Sequence, residues 1–179
     1  MSSIPPISPI VVGVLDLSKA AVTTGKLATA PEPKQPTQLD RMGWAGAYTS
    51  IALSAVGGGT AVASHLMPSF AKTYAHPISF IQTIKSPLGF MPGAIAFTVG
   101  LKKDDPVLTA FGAAGMATSS GGFRWIETVA KESPSQLIRV APGYFKAAIA
   151  VAAVGVGLAQ LTQAISAPKS PHIPGPDQL

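Results

Sequence analysis

Long apolar runs separated by short polar segments dominate the pattern of this chain. Arg41 and Lys72 bracket a run without Asp, Glu, Lys or Arg. Within it, residues 44–67 are long enough to cross a membrane as one helix, because about 20 residues span the hydrocarbon layer. Trp44 lies where the aromatic belt of a membrane helix is found, and Pro68 is expected to end the helix.

Three further apolar segments follow the first. Residues 86–101 form the second predicted span, with Ser86 and Pro87 as its N-cap and first helical residue. Residues 106–123 form the third, and residues 144–165, opened by Pro142 and Gly143, form the fourth. Four long apolar segments of this kind predict a bundle of membrane helices.

The polar connection between the third and fourth segments, residues 124–143, has a helical pattern of its own. Ile126, Val129 and Ala130 share one face at helical spacing and predict a short interfacial helix that Pro134 ends.

These segments predict an all-α fold, a four-transmembrane-helix membrane protein with extended proline-rich tails. Residues 1–40 are predicted to be an extended N-terminal tail because Pro5, Pro6, Pro9, Pro31, Pro33 and Pro36 punctuate them. Residues 41–167 form the four-span membrane domain. Residues 168–179 form an extended C-terminal tail.

Composition agrees with a membrane location. Hydrophobic residues make up 47% of the chain and charged residues only 12%, against about 25% charged in typical soluble domains. The absence of cysteine excludes disulfides and cysteine-ligated metals. The 13 basic residues are scattered, which argues against nucleic-acid binding. The three histidines have no metal-ligand spacing, so we predict no cofactor and no active site.

Small residues recur at four-residue spacing in every predicted span. Such patterns let membrane helices approach closely, since lipid gives apolar helices no hydrophobic reason to associate. The glycine-rich composition alone is the alternative explanation. The positions predicted to serve helix packing are Gly58, Gly89, Gly93, Gly112 and Gly155.

The charged residues favour a packed protein over a transporter. All eight acidic residues lie outside the predicted spans, whereas channels and pumps carry ionisable groups within them. Basic residues near span ends are candidates to meet anionic lipid head groups such as cardiolipin, with an ordinary interface anchor as the simpler interpretation. These residues are Arg41, Lys72, Lys85 and Arg124.

A charged turn joins the second and third spans, and it carries the most specific resemblance in the chain. Lys102, Asp104, Asp105 and Pro106 form a Lys-x-Asp-Asp-Pro turn that precedes a Gly/Ala-rich helix. Residues 41–165 thereby resemble the four-span family of mitochondrial inner-membrane proteins that includes the presequence and carrier translocase core subunits. Residues 144–148, Tyr-Phe-Lys-Ala-Ala, are similar to the start of the fourth span in the branch formed by the translocase-like accessory subunit of respiratory complex I.

This resemblance implies a multi-pass protein of the mitochondrial inner membrane, with both termini facing the intermembrane space. It implies a non-catalytic accessory subunit of complex I, the NADH:ubiquinone oxidoreductase of the respiratory chain. Core and accessory membrane subunits, together with phospholipid, would be its partners. A subunit of a mitochondrial inner-membrane protein translocase is the alternative, but the acid-free spans favour the complex I branch. A viral or bacterial envelope protein with a coincidental turn is a third interpretation.

Overall fold

The structure is a computed structural model that describes residues 4–30, 33 and 35–166. These residues form eight helices and no strand, so the all-α prediction is confirmed. In chain order the helices are α1 (Pro9–Thr29), α2 (Gln38–Leu66), α3 (Pro68–Thr73), α4 (Ala75–Leu88), α5 (Phe90–Lys102), α6 (Pro106–Ser119), α7 (Gly121–Glu132) and α8 (Gln136–Ser166). The predicted C-terminal tail, residues 168–179, lies outside the described residues.

The prediction of an extended N-terminal tail is wrong for residues 9–29, which form α1. Pro9 occupies the first turn of this helix, where a missing N–H costs nothing. No proline occurs between Pro9 and Pro31. The prolines therefore flank a helix of 21 residues, and they do not mark the whole segment as extended.

Two predicted helix starts are also wrong, because the helices begin earlier than their prolines. Pro87 lies inside α4, which begins at Ala75, and Ser86 is therefore no N-cap. Pro142 lies inside α8, which begins at Gln136. The predicted end of the first span is confirmed, since α2 ends at Leu66 and Pro68 starts the short helix α3.

The short helix predicted between the third and fourth spans is present as α7, and its place at a membrane interface stays a prediction. It begins at Gly121, where the third predicted span breaks, because Ser120 ends α6 and caps α7. The Ser120 hydroxyl accepts a hydrogen bond of 3.2 Å from the Phe123 N–H. The helix ends at Glu132, just before Pro134.

Five of the helices pack in the spatial order α6, α5, α2, α1, α8, with α7 against the first part of α8 and α4 against α2, α5 and α6. Helix α1 runs alongside α8 in the same direction. At one end, Gln136 Nε2 donates to the Ile4 carbonyl over 2.8 Å. Towards the other end, Lys26 donates to Gln160. Because 31 residues of helix are about 45 Å long, residues 4 and 166 lie at opposite ends of the bundle.

The bundle buries small residues and exposes large apolar ones. Eight of the thirteen buried residues in the described chain are glycines, and no large side chain there is fully buried. Large apolar side chains point outward instead, among them Tyr48 at 64% exposure, Phe80 at 65% and Ile165 at 68%. Side chains of this kind are more often buried in soluble proteins, so the bundle presents an unusually apolar surface.

Two helical stretches of the described chain are long and apolar enough to cross a membrane, as judged by length and composition alone. They are Ala75–Lys102, which combines α4 and α5, and Gln136–Ser166, which is α8. They contain the second and fourth predicted spans. Helix α2 is long, but its glycines, serines and threonines lower its mean hydropathy, and α6 has only 14 residues.

Candidate helix-packing site and charged clusters

The charged turn between α5 and α6 ends one helix and starts the next. Lys102 is the last residue of α5. Asp104 has a φ of 51°, the left-handed conformation that commonly follows a helix and that aspartate tolerates. The Asp105 N–H then donates to the Gly100 carbonyl over 2.9 Å. This hydrogen bond is the 6→1 bond of a Schellman motif. It satisfies a carbonyl at the end of α5, and the chain reverses direction there.

The same turn caps α6. The Asp105 carboxylate accepts a hydrogen bond of 2.9 Å from the Leu108 N–H, and Pro106 takes the first helical position. Asp104, Asp105 and Pro106 of the family-like motif thus each have a local structural role. The motif produces an antiparallel pair of helices joined by the three residues 103–105.

The turn is also tied to the start of α2. Lys103 Nζ donates to Asp40 Oδ1 over 2.8 Å. Asp40 also belongs to a capping box, because its carboxylate accepts from the Thr37 N–H and the Asp40 N–H donates to the Thr37 hydroxyl. The bond from Lys103, followed by those from Thr37, lowers the pKa of the Asp40 carboxyl to about 2.

Helices α5 and α6 touch through glycine. A Cβ atom placed on Gly112 would lie 2.2 Å from the Phe97 backbone nitrogen and 2.8 Å from the Gly93 carbonyl oxygen. A Cβ on Gly93 would lie 2.8 Å from the Met116 nitrogen, and one on Gly100 would lie 2.5 Å from the Thr109 nitrogen. The structure therefore brings the predicted packing residues Gly93 and Gly112 together in one backbone contact.

The other three predicted packing glycines lie apart. Gly58 is buried against α1, where its Cβ would lie 2.7 Å from the Gly13 carbonyl oxygen. Gly89 is the half-buried residue between α4 and α5. Gly155 faces outward, with no atom within 4 Å of its Cβ position. On α8 it is Gly157 that packs inward, since its Cβ would meet Val22 at 2.4 Å.

A charged pair missed by sequence reasoning lies among α1, α2 and α4. Lys85 forms an ion pair with Asp16, and the two side chains are only 25% and 18% exposed. The Lys85 stem covers Gly57, whose Cβ would lie 2.6 Å from Lys85 Cδ. Beside it, Gln82 donates to the Thr60 hydroxyl over 3.3 Å. Lys85 therefore faces the bundle, and its prediction as a lipid head-group contact stays a prediction.

Arg124 also has an internal role. Its guanidinium donates to the Thr83 carbonyl over 2.8 Å. Thr83 precedes Pro87 by four residues, and Pro87 has no N–H to offer that carbonyl. Arg124 therefore supplies the hydrogen bond that proline removes from α4.

The remaining two predicted head-group residues are on the surface. Arg41 is exposed in the first turn of α2, and Lys72 is exposed in the last turn of α3. Their prediction as lipid contacts stays a prediction.

Helices α7 and α8 are joined by an aromatic and charged contact. The rings of Phe123 and Phe145 stack with centroids 5.9 Å apart. Lys146 Nζ lies 2.7 Å from Glu127 Oε1 and 5.0 Å from the Phe123 ring centroid. The positive charge next to the apolar part of α8 is thus paired with a carboxylate and covered by an aromatic face.

Comparison with known proteins returns no match among family models, curated proteins or solved structures. Within the described residues, no group of three or more His, Cys, Asp or Glu side chains lies close enough to hold a metal ion. The candidate site of this chain is therefore its glycine-lined helix contact together with the charged turn beside it.

Proposed function

We propose that this chain is a non-catalytic accessory membrane subunit of mitochondrial complex I, which stabilises the membrane arm by helix and lipid packing. The observation that supports this most is the arrangement of the bundle, with glycine inside and large apolar side chains outside. A surrounding of lipid and apolar helices suits such a surface. The choice of complex I as the assembly rests on the family resemblance of the charged turn, residues 102–106.

The membrane arrangement follows from the helix order. The four predicted spans correspond to α2, to α4 with α5, to α6 and to α8. Helix α1 lies alongside α8, and we propose that it crosses the same layer as a fifth helix, with its Asp16 carboxylate paired with Lys85. In this proposal residues 4 and 166 lie on opposite sides of the inner membrane, whereas the resemblance implies that both termini share one side.

The mechanism is mechanical. The backbone contact between Gly93 and Gly112 makes α5 and α6 a rigid hairpin. Gly155 offers a shallow site on the outer face of α8, where a helix of a neighbouring complex I subunit can approach. Phospholipid fills the remaining apolar surface, and we place anionic lipid such as cardiolipin near Arg41 and Lys72.

A native gel tests this function. An epitope-tagged copy is expressed in mitochondria, solubilised in mild detergent and separated on a gel that is stained for NADH dehydrogenase activity. We expect the tag to migrate with the stained band. The variant Gly155→Leu should reduce the tag in that band by about tenfold, as for a loss of about 1.4 kcal/mol in contact energy, whereas Gly155→Ala should reduce it less.

Other gel patterns would reject the assignment. Migration of the tag in an unstained complex with import components would favour the translocase alternative. A tag found outside mitochondria would remove the family assignment and leave only the all-α fold.

A further inference from the structure

Helix α7 has two different sides. One side packs on α8 through Phe123 and Glu127, and Ala130 on this helix is buried. The other side carries Trp125, Ile126 and Val129, which are 68%, 49% and 48% exposed. An apolar face that points away from the bundle needs a separate partner.

The first turn of α8 also exposes apolar side chains. Leu137 and Ile138 follow the short 133–135 connection and are 62% and 51% exposed. Together with Trp125, Ile126 and Val129 they define the α7–α8 corner. Because Phe123 stacks on Phe145, α7 lies level with the first turns of the apolar helix α8.

The charges at this corner are mainly positive. Residues 121–146 contain four basic and two acidic residues, and Glu127 is neutralised by Lys146. Lys131 and Arg139 are both exposed. Aromatic and aliphatic side chains flanked by cations, at the end of an apolar helix, match the boundary between acyl chains and phosphate groups.

We propose that the α7–α8 corner docks on the head-group layer of an anionic phospholipid leaflet. Trp125, Ile126 and Val129 enter the boundary with the acyl chains, while Lys131 and Arg139 contact lipid phosphates. A protein partner would have to neutralise the same cations with carboxylates, and the position of the corner at the end of a candidate span favours lipid. This inference rests on the membrane location in the proposed function, although it does not depend on complex I.

Tryptophan fluorescence tests the inference directly. The chain has two tryptophans, so Trp44→Phe leaves Trp125 as the single reporter. The full-length variant is reconstituted into phosphatidylcholine vesicles with and without phosphatidylglycerol, using acyl chains brominated either near the carbonyl or near the methyl end. We expect stronger quenching by bromine near the carbonyl, and about twofold more quenching when anionic lipid is present.

Two comparisons make the result specific. The double variant Lys131→Gln with Arg139→Gln is made in the Trp44→Phe background. Its Trp125 quenching should no longer increase with anionic lipid, whereas the quenching in phosphatidylcholine alone should be unchanged. The proposal would be overturned if the chain floats with the vesicles and Trp125 is nevertheless quenched by aqueous iodide and by neither brominated lipid. A chain that does not float with vesicles would overturn this inference and the membrane location together, whereas failure on the native gel alone would leave it standing.

Discussion

Replacing Asp16 with alanine should destabilise the bundle by about 2 kcal/mol. The substitution leaves the Lys85 ammonium without its carboxylate between α1, α2 and α4. Loss of one partner of a fully buried pair costs about 3–5 kcal/mol. The expected value here is lower because both side chains keep some exposure. Thermal unfolding in mild detergent, followed by circular dichroism, measures the change.

The second variant in this test is Asp16→Ala combined with Lys85→Met. Methionine fills the space of the lysine stem over Gly57 without a charge, so the double variant should regain most of the lost stability. The exposed Lys72→Met is the matched control and should change stability by less than about 0.5 kcal/mol. Equal destabilisation by the single and double variants would mean that the pair does not hold α1 to the bundle.

Replacing Gly112 with alanine should destabilise the bundle by about 3 kcal/mol. The new methyl group would lie 2.2 Å from the Phe97 backbone nitrogen. No side-chain rotation can remove a clash with backbone, so α5 and α6 would have to separate. Alanine favours a helix by about 1 kcal/mol over glycine, and the packing cost must exceed that gain. The same detergent melts measure the result.

Gly155→Ala is the control for this variant, since its methyl group meets open space. It should leave the melting temperature unchanged or raise it, because only the helix propensity of alanine acts there. If Gly112→Ala were as stable as Gly155→Ala, the backbone contact between α5 and α6 would not exist in the protein.

The sequence predicts the ends of helices well where the pattern of charged residues and a proline mark the same boundary. The ends of α2 at Leu66 and of α7 at Glu132 follow from an uncharged run before Pro68 and from an amphipathic pattern before Pro134. The prediction is wrong where a proline lies inside or beside a helix. Pro87 is tolerated inside α4 because Arg124 bonds the Thr83 carbonyl, and this partner is 41 residues away along the chain.

The sequence predicts which small residues are candidates for helix packing, but it does not predict which of them face the bundle. Spacing identifies both Gly155 and Gly157 as small positions on α8, yet only Gly157 meets α1. Which face of α8 points inward depends on the tertiary position of α1, which the sequence analysis treats as a tail. The Asp16–Lys85 pair is missed for the same reason, because its residues are brought together only when α1 folds as a helix.

Labelling of introduced cysteines tests the membrane arrangement most directly, and the chain has no cysteine of its own. Single variants Ile4→Cys and Ser135→Cys mark one end of the bundle, while Lys102→Cys and Ser166→Cys mark the other. In sealed vesicles of uniform orientation, a membrane-impermeant maleimide should label one of these pairs and reach the other pair only after detergent is added. Labelling of all four cysteines in intact vesicles, or of Ile4→Cys and Ser166→Cys from the same side, would contradict a bundle that crosses the membrane with α1 alongside α8.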